Sequence, residues 1–309
     1  MEKVLTITLN PAIDISTTIP SLLPEKKLRC SAPVFVPGGG GVNVSRVLCK
    51  MGYSSTALFM AGGYTGDFFT GLVQKEGVET LVVPIEGSTR QNLIVHDASN
   101  DLQYRFGMPG PTVHEREWRD CLQKLKEAKD FTYVVISGSN PAGVSPDFYG
   151  EAADILKEKK SKLILDTSGE ALKHALHEGV FLAKPNLGEL SHLVGGEELD
   201  ANSVVGAARS IINKGNCEIL VVSMGAAGAM LITAKEHYHE PAPAIKIKST
   251  VGAGDSMVAG ILIGMQKKLS LKEVLKYGVA AGTAATINPG SGLCTRENIE
   301  KIRSFFIAN

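Results

Sequence analysis

Six short apolar runs constrain this chain most: Val4–Thr8, Thr56–Met60, Thr132–Ile136, Lys162–Asp166, Phe181–Ala183 and Ile219–Ser223. Their hydrophobic residues follow one another without alternating with polar ones. A strand of that kind has both faces covered, which is the condition of a parallel sheet between two helical layers. Amphipathic segments lie between or after the runs at Val42–Met51, Thr65–Glu76, Glu115–Ala128, Asp147–Lys159, Asn202–Asn213, Ala253–Met265 and Leu271–Ala285. The alternation predicts an α/β, doubly wound, mostly parallel sheet with right-handed crossovers. Such sheets bind ligands beyond the carboxyl ends of their strands, so the polar residues closing each strand are the first places to look.

Two stretches break the alternation. Residues 14–35 and 90–106 read as extended segments with turns, such as Ser99-Asn100-Asp101, and carry no helix. They predict a small β-sheet, a lid, apart from the main layer. One apolar face of such a sheet needs a cover, and Val34, Phe35, Leu93, Ile94 and Phe106 are its candidates for a homodimer contact. No internal repeat, low-complexity tract or linker is visible.

Charge narrows the partners. With 32 basic and 32 acidic residues the formal net charge is zero, which argues against a nucleic-acid or membrane-surface binder. Cys30, Cys49, Cys121, Cys217 and Cys294 are odd in number and never form CxxC, as reduced thiols in a cytoplasmic protein would be. The N-terminus runs straight into strand pattern without a leader-like apolar region. The uncharged stretch Tyr277 to Thr295 carries glycines, Asn288 and Pro289 and is too polar to span a membrane. Asn43-Val44-Ser45 matches a glycosylation sequon, read as accidental in that setting.

Two glycine loops carry the chemistry. In Pro37-Gly38-Gly39-Gly40-Gly41-Val42-Asn43, consecutive glycines run into a helix and let the backbone approach a ligand closely. The run is not a dinucleotide fingerprint, because the third glycine of GxGxxG is replaced. In Ser249-Thr250-Val251-Gly252-Ala253-Gly254-Asp255-Ser256, a Gly-Ala-Gly turn opens a helix, whose free amides attract anions. Asp255 is there either a helix cap or a carboxylate that takes a proton from an alcohol. Other chemistries lack their signatures. The chain has no GxxxxGK[ST], no HRD or DFG set and no GxSxG. Its histidines form no HxxxH or HExxH pattern, so they build no metal site. Trp118 belongs to a packing face, and Lys157-Glu158-Lys159-Lys160 is a solvated helix end.

With these two loops in this order, the chain resembles the ribokinase/PfkB superfamily of carbohydrate kinases over essentially its whole length. Within it, the resemblance is closest to the minor-type bacterial 6-phosphofructokinase branch. Further matching stretches are Thr89-Arg90-Gln91-Asn92-Leu93, Gln103-Tyr104-Arg105-Phe106, Ser168-Gly169-Glu170-Ala171-Leu172 and Lys184-Pro185-Asn186. The resemblance implies a single ribokinase-like kinase domain over 1–309, its lid drawn from about 14–35 and 90–106. It implies ATP-dependent phosphorylation of a phosphorylated ketohexose, fructose 6-phosphate at C1, in glycolysis. Asp255 would be the base, and the amides of Gly252, Ala253 and Gly254 the anion hole. Asp14, Gly39, Gly40, Asn43 and Ser139 would hold the sugar, and Lys27, Arg90 and Arg105 its phosphate. Lys184, Asn186, Glu189, Ser223, Gly225 and Asn288 would serve the nucleotide. Glu189 would act on Mg²⁺ largely through water, though a helix's first turn also favours an acid there. Asn288 would either face the adenine or cap its helix. Ser249, Val251 and the 285–292 segment would hold a possible K⁺.

Three alternatives stay open at this level. Tagatose-6-phosphate kinase and 1-phosphofructokinase share both loops, and their substrates differ by one configuration or by which end carries phosphate. A non-catalytic sugar- or nucleotide-binding regulator would share the fold. A dinucleotide oxidoreductase is disfavoured by the failed fingerprint.

Overall fold

In the computed structural model, residues 2–196, 199–200, 203–288, 290 and 292–306 are described. The chain runs β1 (Val4–Thr8), β2 (Ala12–Ile19), β3 (Val34–Gly38), α1 (Gly40–Lys50), β4 (Ser55–Ala61), α2 (Gly63–Lys75) and β5 (Glu79–Pro84). Next come β6 (Arg90–Asp97), β7 (Leu102–Phe106), α3 (Glu115–Glu127), β8 (Tyr133–Ser137), α4 (Asp147–Glu158), β9 (Lys162–Asp166) and α5 (Gly169–His177). Then follow β10 (Val180–Ala183), α6 (Leu187–Val194), α7 (Ser203–Asn213), β11 (Cys217–Ser223), β12 (Ala229–Ile232) and β13 (His237–Glu240). Three helices close the chain: α8 (Ala253–Gln266), α9 (Leu271–Thr286) and α10 (Arg296–Phe305). The expected start of α7, Asn202, lies outside the described residues.

Among the described residues, nine strands form one sheet in the order β13-β12-β11-β10-β9-β8-β1-β4-β5. Its pairs are parallel from β5 to β11, and β12 and β13 add an antiparallel edge. Period-two geometry divides each strand between two cores. Leu5, Ile7, Leu58 and Met60 join the core under α3 to α7, whereas Val4, Val135 and Ile164 join the core under α1, α8, α9 and α10. This is the doubly wound architecture expected from the uninterrupted apolar runs. After β1 the chain goes first to β4 and β5 on one side, then to β8 and beyond on the other, so β1 marks the switch point. Among the described residues, no helix is long and apolar enough to cross a membrane.

The second sheet has the order β3-β2-β6-β7. Residues 20–33, expected to be extended, are largely loop and turn, so β2 and β3 are shorter than the segment they come from. β2 and β6 pair in parallel although their starts are 78 positions apart, while β2–β3 and β6–β7 are antiparallel. The register corrects the expected apolar face. Phe35, Ile15, Leu93 and Phe106 oppose one another on one face, and Val34, Ser16, Ile94 and Arg105 on the other. Phe35 stacks edge-on against Phe68 of α2, at 5.5 Å, and Ile94 is buried. The five apolar residues therefore do not form one exposed surface. Val34, at 59% exposure, is open on one face, and Phe106, at 43%, and Phe35, at 39%, are open on the other.

Candidate active site

A cavity of about 460 Å³ lies where the carboxyl ends of β8 and β9 meet the lid. It is lined by Asp14, Gly39, Gly40, Asn43, Arg90, Asn92, Arg105, Ser137, Asp166, Glu189, Gly252 and Asp255, among others. A second cavity, about 480 Å³ and largely apolar, is lined by Ser223, Gly225, Ala242, Ile245, Thr250, Ala253, Gly254, Met257, Gly282 and Thr283. The loop at 250–255 borders both.

That loop opens α8. Gly252 is the helix N-cap, with φ 70° and ψ 6°, the left-handed conformation that glycine adopts without penalty. Of the amides that follow, that of Ala253 makes only a long bond to the Thr250 carbonyl, at 3.4 Å, and a first turn with no turn before it suits an anion. Asp255 does not cap the helix. Its Oδ2 accepts a hydrogen bond from Nδ2 of Asn43 on α1, at 2.9 Å, and among the described residues no side chain caps α8. Burial and the neighbouring Asp166 carboxylate raise its pKa to about 7, against the opposing pull of Asn43, Lys184 and Arg46. A carboxylate near neutrality is matched to accepting a proton at physiological pH.

Asp166 was not singled out from sequence. It closes β9, pairs with Lys184 Nζ at 2.9 Å, and both side chains are largely buried. The signal was available, since a lone acid ending an apolar parallel strand points at the ligand-binding edge. Burial pulls the Lys184 ammonium down, but the charges of Asp166, Asp255 and Glu189 outweigh it and hold the pKa above its ordinary value. Lys184 Nζ sits directly beneath Gly254, 3.3 Å from where a side chain there would begin.

The lid closes the polar cavity. Asn92 Nδ2 donates to Asp14 Oδ1 at 3.0 Å, and burial raises the Asp14 pKa despite that bond and the nearby arginines. Arg90 donates to the carbonyls of Asn10, at 3.0 Å, and Met108, at 3.1 Å. Arg105 donates to Thr250 Oγ1 at 3.1 Å, so the lid touches the 250–255 loop directly. Asn92 and Ser137 are further cavity residues that sequence reasoning missed.

Other expected residues fall elsewhere. Lys27 is exposed on the loop between β2 and β3 and does not line the cavity. Ser139 is exposed and accepts from Asn10 Nδ2 at 3.1 Å, while Ser137 and Gly138 form the wall in its place. Asn186 caps α6: its Oδ1 accepts from the Glu189 amide, and Glu189 Oε2 accepts from the Asn186 amide, both at 2.9 Å. Glu189 is thus a capping-box acid that also reaches the cavity. Asn288 donates to the carbonyls of Leu293, at 2.9 Å, and Ala284, at 3.4 Å, which closes the end of α9 and keeps it off the apolar cavity. Ser249 Oγ accepts from the Val251 amide at 3.2 Å and reaches Gln103 at 3.4 Å. Pro289 and Ser291, in the segment expected beside K⁺, lie outside the described residues. Among the described residues, no cluster of three His, Cys, Asp or Glu side chains is placed to hold a metal.

Comparison with known proteins adds a family. The model of the pfkB family carbohydrate kinases matches residues 3–298. The ATP-dependent 6-phosphofructokinase isozyme 2 of Escherichia coli (strain K12) is 42% identical over 306 residues, 99% of each chain. A 1-phosphofructokinase of Bacillus subtilis (strain 168) is 32% identical over 297 residues, 96% of each. Crystal structures of phosphofructokinase-2 from Escherichia coli superpose closely. The potassium complex has TM-score 0.95 and 41% identity, covering 99% of this chain and 100% of that one. The fructose-6-phosphate complex has TM-score 0.92 and 40% identity, covering 99% of each. The tetrameric inhibited form has TM-score 0.93 and 40% identity, covering 99% of this chain and 100% of that one.

Proposed function

The chain belongs to the pfkB family of carbohydrate kinases, and on that premise we propose that it transfers the γ-phosphoryl group of ATP to the C1 hydroxyl of fructose 6-phosphate. One observation carries the reading: the 250–255 loop separates a polar cavity from an apolar one, and Asp255 faces the polar side. The sugar phosphate occupies the polar cavity and the nucleotide base the apolar one. The γ-phosphorus then meets the hydroxyl at the start of α8.

The reaction follows from that placement. Asp255 takes the hydroxyl proton as the sugar oxygen bonds to the γ-phosphorus. The bond from that phosphorus to the β,γ-bridging oxygen breaks, and ADP leaves. The amides of Gly252, Ala253 and Gly254 stabilise charge spreading over the transferring oxygens, and Lys184 adds a cation below them. Positioning and charge stabilisation suffice for phosphoryl transfer. Asp14, Asn43 and the glycines 39 and 40 hold sugar hydroxyls, with Ser137 and Gly138 in the place expected of Ser139. Arg90 and Arg105 grip the 6-phosphate, for which the guanidinium fork is suited. Lys27 stays outside this set because its loop leaves it exposed.

Mg²⁺ fits Glu189 through water, since only one carboxylate oxygen is engaged in the cap, and would neutralise phosphate charge. A K⁺ beside Ser249 and Val251 would rest on loop carbonyl oxygens and on the lone pair the Ser249 hydroxyl keeps after accepting from Val251. The potassium complex of the Escherichia coli enzyme supports that reading. A second copy covers the open lid residues to form a homodimer; a monomer by light scattering at micromolar concentration would contradict it. The place of action is the cytoplasm, where ATP is supplied and the five free cysteines stay thiols.

The test is initial rates with MgATP and K⁺ on fructose 6-phosphate, tagatose 6-phosphate and fructose 1-phosphate, read as ADP release. A kcat/KM advantage of tenfold or more for fructose 6-phosphate, about 1.4 kcal/mol, is the expected result. A win for either other sugar moves the assignment to that kinase. No turnover on any of them overturns the kinase reading in favour of a binding protein.

A further inference from the structure

Behind Asp255 stands a file of buried polar side chains. Asn43, whose Nδ2 donates to Asp255, accepts at its own Oδ1 from Nη1 of Arg46, at 2.9 Å. Arg46 is 2% exposed. Its guanidinium also donates to the Pro37 carbonyl and to Glu76 Oε1, both at 2.6 Å. Lys50 Nζ lies 3.1 Å from the other oxygen of Glu76. Asn43 and Arg46 are three residues apart on α1 and so share a face of that helix. The file therefore runs from the end of α2, through α1, to the first turn of α8.

The file has a direction. A guanidinium only donates, so the amide of Asn43 must turn its oxygen to Arg46 and its NH₂ to Asp255. The reversed amide would set N–H against N–H and a carbonyl oxygen against a carboxylate. Arg46 thereby decides that Asp255 faces a donor on Oδ2. Oδ1 accepts from no described residue. The charged groups acting on Asp255 come from three elements. Asp166 on β9 disfavours its ionised form, whereas Lys184, just after β10, and Arg46 on α1 favour it. Burial pushes Glu76 up, but its hydrogen bond to Arg46 and the charges of Arg46 and Lys50 bring it below its ordinary value, so it remains the anion that anchors Arg46.

We infer that Arg46 is a positioning residue of the phosphoryl-transfer site, which orients the Asp255 carboxylate through Asn43 and keeps it in the base form, with Glu76 as its anchor. The catalytic consequence rests on the kinase reading; the effect on Asp255 does not.

The experiment titrates Asp255 directly, by ¹³C NMR of aspartate-Cγ-labelled protein with the resonance assigned by Asp255→Asn, beside kcat against pH. In Arg46→Met the midpoint of Asp255 should rise by about one pH unit. The acidic limb of kcat should follow, with a loss of roughly tenfold at pH 6.5 that recovers to within about threefold at pH 9. Arg46→Lys, which keeps the charge, should bring the midpoint back most of the way. Should Arg46→Met not fold, Arg46→Met with Glu76→Met removes both charges, a replacement that buried pairs often tolerate, and the same rise is expected. An unchanged midpoint, or a loss of kcat equal at every pH and not relieved by lysine, overturns the inference. Absent turnover in the unmodified protein would instead defeat the kinase reading, and the NMR midpoint would still decide on Arg46.

Discussion

Replacing Gly252 with alanine tests the anion hole and its support together. The position has φ 70°, and a left-handed conformation at a residue with a side chain costs about 1–2 kcal/mol. The new methyl would also stand 2.5 Å from Cδ2 of Leu293, a core residue 4% exposed. Relieving such overpacking costs about 1–3 kcal/mol. Gly252→Ala should therefore lose roughly 2–5 kcal/mol, read as a lower urea midpoint at unchanged m. It should also lower kcat by about 10²–10³, the range for one misplaced oxyanion donor, because either relief moves the amides at the start of α8. A double-mutant cycle isolates the cause. Leu293→Ala alone should cost about 2–5 kcal/mol. The two together should cost less than their sum by about 1–3 kcal/mol, since the new methyl then enters the vacated space. Additivity within about 0.5 kcal/mol would refute the steric argument. A kcat within twofold of the unmodified protein would refute the placement of the anion hole.

Three further outcomes follow from the same geometry. An acid whose folded pKa is raised loses stability as pH rises from its unfolded value, near 4, towards 7. Asp255→Asn should therefore stabilise the protein at pH 8 by up to roughly 4 kcal/mol, with the gain vanishing below about pH 4, as thermal melts across that range would show. Arg105→Ala should raise KM for the sugar phosphate by roughly 10–100-fold with a smaller change in kcat, as for a lost charged hydrogen bond; an unchanged KM removes Arg105 from the phosphate site. Thr283→Phe, which fills the apolar cavity, should raise KM for ATP and leave that for the sugar within about twofold; the reverse pattern would exchange the two cavities.

Much of this fold and site is legible in the amino-acid sequence, for identifiable reasons. Continuous apolar runs are a local signal, so β1, β4, β8, β9, β10 and β11 lie where their residues placed them. β13, whose sequence is His-Tyr-His-Glu, carries no such signal because it is an exposed edge. The short α6 buries only Leu190 and so shows little periodicity. The lid's two segments were visible, but the parallel pairing of β2 with β6 depends on register between distant stretches, and register decided which apolar residues share a face. Likewise the Asp255 loop announced itself through its glycines, whereas its supports are long-range contacts. Arg46 and Glu76 are 30 positions apart, and Asn43 and Asp255 are 212 apart. Asp166 lay within reach of the strand-end rule. Lys27 and Asn288 are polar residues whose directions only the folded loops determine.

In the proposed reaction Asp255 removes the sugar proton during transfer from ATP. That step is tested most directly by Asp255→Asn, with kcat on fructose 6-phosphate measured beside calorimetric titration of that sugar and of MgATP. The expected result is a fall in kcat of about 10²–10⁴, with both dissociation constants within a few-fold of the unmodified protein. Turnover unchanged in that variant would contradict it, and the proton would have to leave by another group.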